Sequence, residues 1–327
     1  MPGTLTIARK EFVDHVSDHT FLLCFGIFLV AMVASTFYQL DQIYQLMAYI
    51  APTVGFLEKE LWRDPEVSEM LQTVLASQLS TLGVLVALTL SFNSINKERV
   101  EGSLKVLFSY PISRSKIIMG KLIAGLAVVT LVVIASLTIS FGIEMYYLTI
   151  PLTEEVFLRL AAVTVYGIVL LAFFLSLGTA VSIIVKDAST TLLILLIVAV
   201  LLQPDFVAMT LVTLAVLMPR SVTYNAGSNV QYYSPGMLSW QMPSVLWWLH
   251  KDYLRMTPIV AFRTFSGNIF HFQNVYPYYT SRTSPQIITL PFDWLLTQNI
   301  PLLVAPILYT IGAVMSCFIL FNRRDIV

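Results

Sequence analysis

Few residues in this chain combine the types and spacing that could do chemistry. His15 and His19 stand four apart beside Asp14 and Asp18, a spacing a metal ion could use. No third strong ligand accompanies them, and a wet helix face explains all four residues without a metal. Gly120–Lys121 lacks both the upstream glycine and the following Ser or Thr of a phosphate-binding loop, so no ATP site is read here. There is no G-x-S-x-G, no H-E-x-x-H and no paired carboxylate inside an apolar run. Glu144 and Asp205 fall near the ends of apolar runs, where an interfacial role suits them better than a proton relay. His250, Lys251, Asp252 and His271 are the last candidates for polar chemistry. The expectation is a non-catalytic chain with no metal and no cofactor of its own.

Composition explains that shortage. The 327 residues are 57 % hydrophobic and only 12 % charged, against about 45–50 % and about 25 % in soluble domains. A bilayer accommodates such a chain because the outward face of every helix can be apolar too. A formal net charge of zero supplies no basic face for nucleic acid. Cys24 and Cys317 sit inside apolar runs and read as packing residues rather than a disulfide or metal pair. No cleavable leader is read, since mixed charge precedes the first apolar run and no A-x-A follows it.

A hydrocarbon core of about 30 Å needs roughly 20 helical residues. Uncharged runs of that kind cover 21–40, 70–94, 117–143 (with Lys121 near its start), 163–185, 190–202 and 302–321. The expected fold is therefore an all-α membrane protein of six transmembrane helices. The fifth run is irregular: Gln203, Pro204 and Asp205 interrupt it before a second apolar stretch, 206–218, so the helix bends or re-enters there. Lys97, Arg99, Lys105, Arg114 and Lys116 between the second and third runs, and Arg323 and Arg324 at the end, put both termini and that loop in the cytoplasm. Residues 1–19 carry a stripe of Leu5, Ala8, Phe12 and Val16, with Lys10, Glu11, Asp14 and Asp18 opposite. That pattern predicts an amphipathic helix on the cytoplasmic membrane surface. The membrane part then runs over 20–218 and resumes over 302–327. Residues 219–301, with Trp240, Trp247, Trp248 and Tyr278–Tyr279, read as an extracytoplasmic insertion lying on the outer leaflet. Helical spacing is visible at 245–256. Its role is either a cap over the helix ends or a surface for substrate or an extracytoplasmic partner. No internal repeat is visible, which weighs against inverted-repeat transporters.

The most informative stretch is the loop at 95–116. Lys97 to Leu107 is a helix candidate continuing from the second span, with Glu98, Arg99, Glu101 and Lys105 outward and Val100, Leu104 and Leu107 along one side. Glu101 and Lys105 form a favourable i,i+4 pair. Tyr110–Pro111 breaks that helix, and Ser113 can cap the next one. A charged hairpin of this shape is suited to pressing on a soluble partner. Ordinary positive-inside charge explains its Lys and Arg content, but not the fixed spacing of its other residues.

That spacing, E-R-x-x-G-S-L-x-x-L-x-x-x-P-I-S-R-x-x-I-x-x-G-K, resembles the signature of ABC-2 family transporter permeases. Similar permeases serve daunorubicin-type exporters and the Nos-type system of denitrifiers. The matching positions are Glu98, Arg99, Gly102, Ser103, Leu104, Leu107, Pro111, Ile112, Ser113, Arg114, Ile117, Gly120 and Lys121. More loosely, the amphipathic start, the six-span layout and the closing F-N-R-R-D at 321–325 agree with the family. The 219–301 region is longer than in its simplest members.

The resemblance implies a permease dimer, homo- or heteromeric, working with a separate ABC ATPase that holds the ATP and Mg. The loop would be the coupling helix, contacting the ATPase through Lys97, Glu98, Arg99, Glu101, Gly102, Leu104, Pro111, Ser113, Arg114 and Lys121, with Lys186 and Asp187 as a second contact. Export of a hydrophobic, lipid-linked or peptide substrate is the expected activity. An ATP-independent secondary transporter or channel is the competing reading. Thr73, Ser77, Ser80 and Thr81 could line a pathway, as could Ser176, Gly178 and Ser182, although helix packing explains such small polar residues as well.

Overall fold

The computed structural model describes residues 2–54, 76–102, 113–148, 153–203, 257–269, 272–275, 286–289 and 291–323. Uncharged runs of Leu, Val, Ile and Ala form long helices because in lipid every backbone amide and carbonyl must find its partner within the segment. Helix α1 spans Pro2–Ser17, and α2 follows almost at once at His19–Val54. The second span, described from Ala76, passes through a π-helical turn, Leu79–Gly83, and continues as α3, Val84–Ser91. After a short turn come α4 (Asn96–Val100), α5 (Arg114–Leu148), α6 (Glu154–Ile184), α7 (Ala188–Leu202) and α8 (Pro258–Ile269). Strands β1 (Phe272–Val275) and β2 (Gln286–Thr289) pair antiparallel, Phe272 opposite Thr289, before α9 at Phe292–Arg323. Apart from that ribbon the described architecture is all helical, and five helical segments are long and apolar enough to cross a membrane.

Three expected spans change length. Helix α2 carries 36 residues, about 54 Å of helix, so Asp41 lies within it rather than in a loop. Helix α7 has 15 residues, about 22 Å, and ends where Gln203 turns extended at ψ 121°. That is short of a full crossing; Pro204 and Asp205 lie outside the described residues. Helix α9 begins at Phe292, ten residues before the expected start, and carries Pro301 and Pro306 inside it.

The neighbours of α9 explain how Pro306 is tolerated. It has no N–H to give the carbonyl of Leu302, one turn earlier. The hydroxyl of Tyr166, on α6, donates to that carbonyl at 2.7 Å. The Tyr166 ring also meets Phe262 and Phe265 edge-on, at 5.4 and 4.9 Å between centroids. One side chain thus joins α6, α8 and α9. Helix α8 is correspondingly sunk into the bundle, with Ile259, Phe262, Phe265 and Ile269 in the main apolar core. Its C-terminal carbonyl, on Ile269, accepts from the buried guanidinium of Arg159, which also pairs with Glu155. Arg263 reaches from α8 to the π-turn, donating to the hydroxyls of Ser80 (2.8 Å) and Thr81 (3.1 Å) and to the side-chain oxygen of Gln203 (3.3 Å). Residues 257–269 are therefore a packed element of the bundle, not a layer on its surface; the 245–256 segment lies outside the described residues. Faces of α2, α7 and α9 stay apolar and uncovered, among them Ile300, Val304, Leu308 and Met315.

Replacing Tyr166 by Phe leaves the Leu302 carbonyl without its donor and should cost on the order of 1 kcal/mol in thermal unfolding. In a Pro306→Ala background the alanine amide can take over, so the same replacement should cost clearly less. Equal losses in the two backgrounds would show that the bond does not serve the proline.

Candidate functional site

Among the described signature residues, Glu98, Gly120 and Lys121 meet at the α1 end of the bundle. Helix α1 lies along the start of α5, and Gly120 allows the contact: a Cβ there would come within 2.7 Å of Ile7. The next residue, Lys121, is 5 % exposed. Its ammonium lies 2.9 Å from Glu11 Oε2 on α1 and 2.9 Å from Glu98 Oε1 on α4. One cation therefore joins three elements that are far apart in sequence. Charge-assisted bonds of this kind are among the strongest available, and burial shields them from water. Glu11 was expected on the polar side of α1 but is buried, whereas Leu5 and Val16 of the expected apolar stripe are exposed. The stripe is turned because the helix presents its carboxylate to Lys121. His15, on that same inward side, has its pKa lowered, chiefly by desolvation, while Glu11 pulls it the other way.

Arg99 faces a different helix from its neighbour Glu98. Its guanidinium donates to the carbonyls of Val185 (3.2 Å) and Ile183 (3.4 Å), at the C-terminus of α6, and to Asn96 Oδ1 (3.0 Å). A cation there satisfies orphan carbonyls and opposes the negative end of the helix dipole. Asn96 donates to Thr191 Oγ1 at 3.0 Å, and the Ile95 amide to Ser182 Oγ at 3.3 Å. Ser182 and Gly178 thus serve helix contact, Gly178 lying against Ser91 with no room for a Cβ. Asp187 caps α7, accepting from the Thr190 amide and hydroxyl at 2.8 Å each, and that backbone bond is the main reason its pKa is lowered. Beneath the polar contacts Ile95, Ile117, Ile118, Ala180, Ile183, Cys317 and Phe321 form a small apolar cluster of their own.

The sequence residues therefore fall into two sets. Glu98, Arg99 and Lys121 face inward, although Glu98 and Arg99 were expected outward; the need to pair Lys121 and to close α6 turns them in. Lys97, Val100, Glu101, Ser113, Lys186 and Asp187 are exposed, and Val100 is 84 % exposed. Helix α4 also stops earlier than expected, at Val100 rather than Leu107. Gly102 adopts φ +72°, a left-handed conformation that ends helices and favours glycine. Arg114 opens α5, and the Ser113 carbonyl before it accepts from Lys116 N at 2.9 Å. Leu104, Lys105 and Pro111 lie outside the described residues, as does Thr73 at the other end of the second span. Of the pathway candidates there, Ser80 is buried under Arg263, Ser77 is half-buried and Thr81 is exposed. What the sequence did not disclose is Glu11 as a partner of Lys121; a lone lysine inside an apolar run was the available signal. Among the described residues no group of acidic, His and Cys side chains is placed to hold a metal.

A family model described as "ABC-2 family transporter protein" matches residues 5–326, from α1 to the end of the chain. The chain belongs to the ABC-2 transporter family. It is thus the membrane component of an ABC transporter, a family that works with an ABC ATPase subunit. The bounds of the match enclose the region between α7 and α9. No curated protein matches the chain.

Replacing Lys121 by Met leaves two buried carboxylates facing each other and should cost about 3–5 kcal/mol. Hydrogen exchange over residues 4–17 should rise most, because α1 loses its anchor. Adding Glu11→Gln and Glu98→Gln should recover much of the loss; no recovery would mean that charge is not what holds α1.

Proposed function

We propose that this chain is the coupling and translocating subunit of an ATP-driven exporter in the cell membrane, with both termini in the cytoplasm. A separate ATPase, carrying ATP and Mg, docks at the α1 end, and a second permease chain, identical or related, completes the route. The observation that carries this reading is the division of labour in the Glu98–Arg99 pair. Glu98 holds α5 and α1 through Lys121, while Arg99 holds the α6–α7 turn. A push on the exposed residues beside them is therefore delivered to several helices at once, as a rigid-body movement requires.

In this reading Lys97, Val100, Glu101, Gly102, Lys186 and Asp187 form the surface that meets the ATPase, with Leu104, Pro111, Ser113 and Arg114 continuing it. Glu98, Arg99 and Lys121 keep that surface in place. The charges at the α1 end, Lys97, Arg114 and Lys116 among them, support its cytoplasmic placement. The uncovered apolar faces of α2, α7 and α9 support contact with lipid. A hydrophobic, lipid-linked or peptide cargo suits a bundle whose helices are apolar over most of their length.

Val100→Asp should leave thermal stability unchanged, since the side chain is exposed, but weaken ATPase association about tenfold, the loss of a buried valine contact of roughly 1.5 kcal/mol. Arg99→Ala should lower both stability and stimulated ATP hydrolysis. Co-purification and ATP turnover in reconstituted vesicles measure these effects. Transport driven by an ion gradient with no ATPase bound would contradict the proposal.

A further inference from the structure

At the opposite end of the bundle three buried oxygens from three helices have no donor among the described residues: Gln39 Oε1, Gln78 Oε1 and Glu144 Oε2. Sequence position suggested an interfacial place for Glu144, yet it is 3 % exposed. Cross-contacts fix the level of the three groups. The hydroxyls of Thr36 on α2 and Ser140 on α5 are 3.2 Å apart, and higher up Tyr44 donates to the Tyr147 carbonyl at 2.8 Å. Helices α2 and α5 therefore run side by side in the same direction, with Gln39 and Glu144 both between those two contacts. Gln78, from the second span, donates its amide N–H to the Ser35 hydroxyl, one turn below Gln39. The three oxygens thus lie within about two helical turns, or roughly 10 Å, of one another along the bundle.

Two of the nearby hydroxyls are engaged within their own helix. Ser35 donates to the Ala31 carbonyl at 2.7 Å and Thr36 to the Met32 carbonyl at 2.9 Å. Because the Ser35 proton is used in that way, its oxygen accepts from Gln78, which turns the Gln78 carbonyl oxygen to the other side. What remains is a carboxylate and two amide oxygens, all acceptors. Oxygen ligands of this kind suit hard cations, and an ionisable group inside a membrane bundle marks a functional position by default.

We propose that Gln39, Gln78 and Glu144 form a binding site for a small monovalent cation, either an alkali ion or an ammonium group. Glu144 supplies the charge and the two amides supply neutral ligands. The site is some distance from the ATPase-facing end and would make the bundle's stability depend on the cation present.

The test uses the full-length chain in lipid nanodiscs, with thermal unfolding followed in N-methylglucamine, sodium, potassium, ammonium and methylammonium chlorides at equal ionic strength and pH. At least one cation should raise the midpoint by about 3 °C or more over N-methylglucamine. Glu144→Gln should abolish that shift, with a midpoint in N-methylglucamine no lower than the wild type's. Gln39→Met keeps the carboxylate and should raise the half-saturating concentration about tenfold. The proposal is overturned if no cation is selective, if the shift survives in Glu144→Gln, or if stabilisation follows only from lowering the pH, which would assign a proton instead.

Discussion

One buried ammonium organises the α1 end of this protein. Lys121 stands where α5 enters the apolar part of the bundle, and an unpaired charge there would be costly to bury. Glu11 and Glu98 remove that cost from two directions, and α1 and α4 are thereby set against α5. Gly120 makes the geometry possible by letting α1 lie within contact of the α5 backbone. Once α4 is fixed, Arg99 is aimed at the end of α6, and Asn96 at α7. The exposed face of Val100 and Glu101 is what remains after these inward contacts have been made.

This arrangement gives the family signature a physical meaning. A signature read as a docking motif suggests that its charged residues touch the partner. Here the E-R pair and the G-K pair act mainly within the chain, which leaves Lys97, Val100 and Glu101 beside them as the exposed surface. The other end of the bundle uses different means to the same effect: Tyr166 repairs the backbone at Pro306, Arg159 closes α8, and Arg263 fills the π-turn. Two unlike sets of contacts thus stiffen the two ends of the bundle.

Much of this was legible in the sequence because bilayer physics is severe. Apolar runs gave the helices, and the spacing around Glu98 and Gly120 gave the family. The misreadings have common causes. The expected sixth span, 302–321, already holds Pro306, and α9 extends it back through Pro301 to Phe292; the Tyr166 hydroxyl shows how Pro306 is accommodated. Helix α8 was hidden within an aromatic, polar stretch whose composition suggested a surface. Glu11 and Glu144 were read as exposed because charge was taken as a sign of water. Each is instead buried by tertiary packing that no local pattern encodes, Glu11 against Lys121 and Glu144 on the inward side of α5.

The central claim is that the α1 end moves as one body when an ATPase closes. Pulsed electron–electron resonance on the transporter, with spin labels at Glu101→Cys paired with either Leu5→Cys or Lys186→Cys, measures it directly. Between nucleotide-free and ATP-trapped states both distances should hold within about 2 Å, while the distance from Glu101→Cys to the corresponding label on the second permease chain changes. A shift of several ångströms between Glu101→Cys and Lys186→Cys within one chain would show that Arg99 does not carry the stroke.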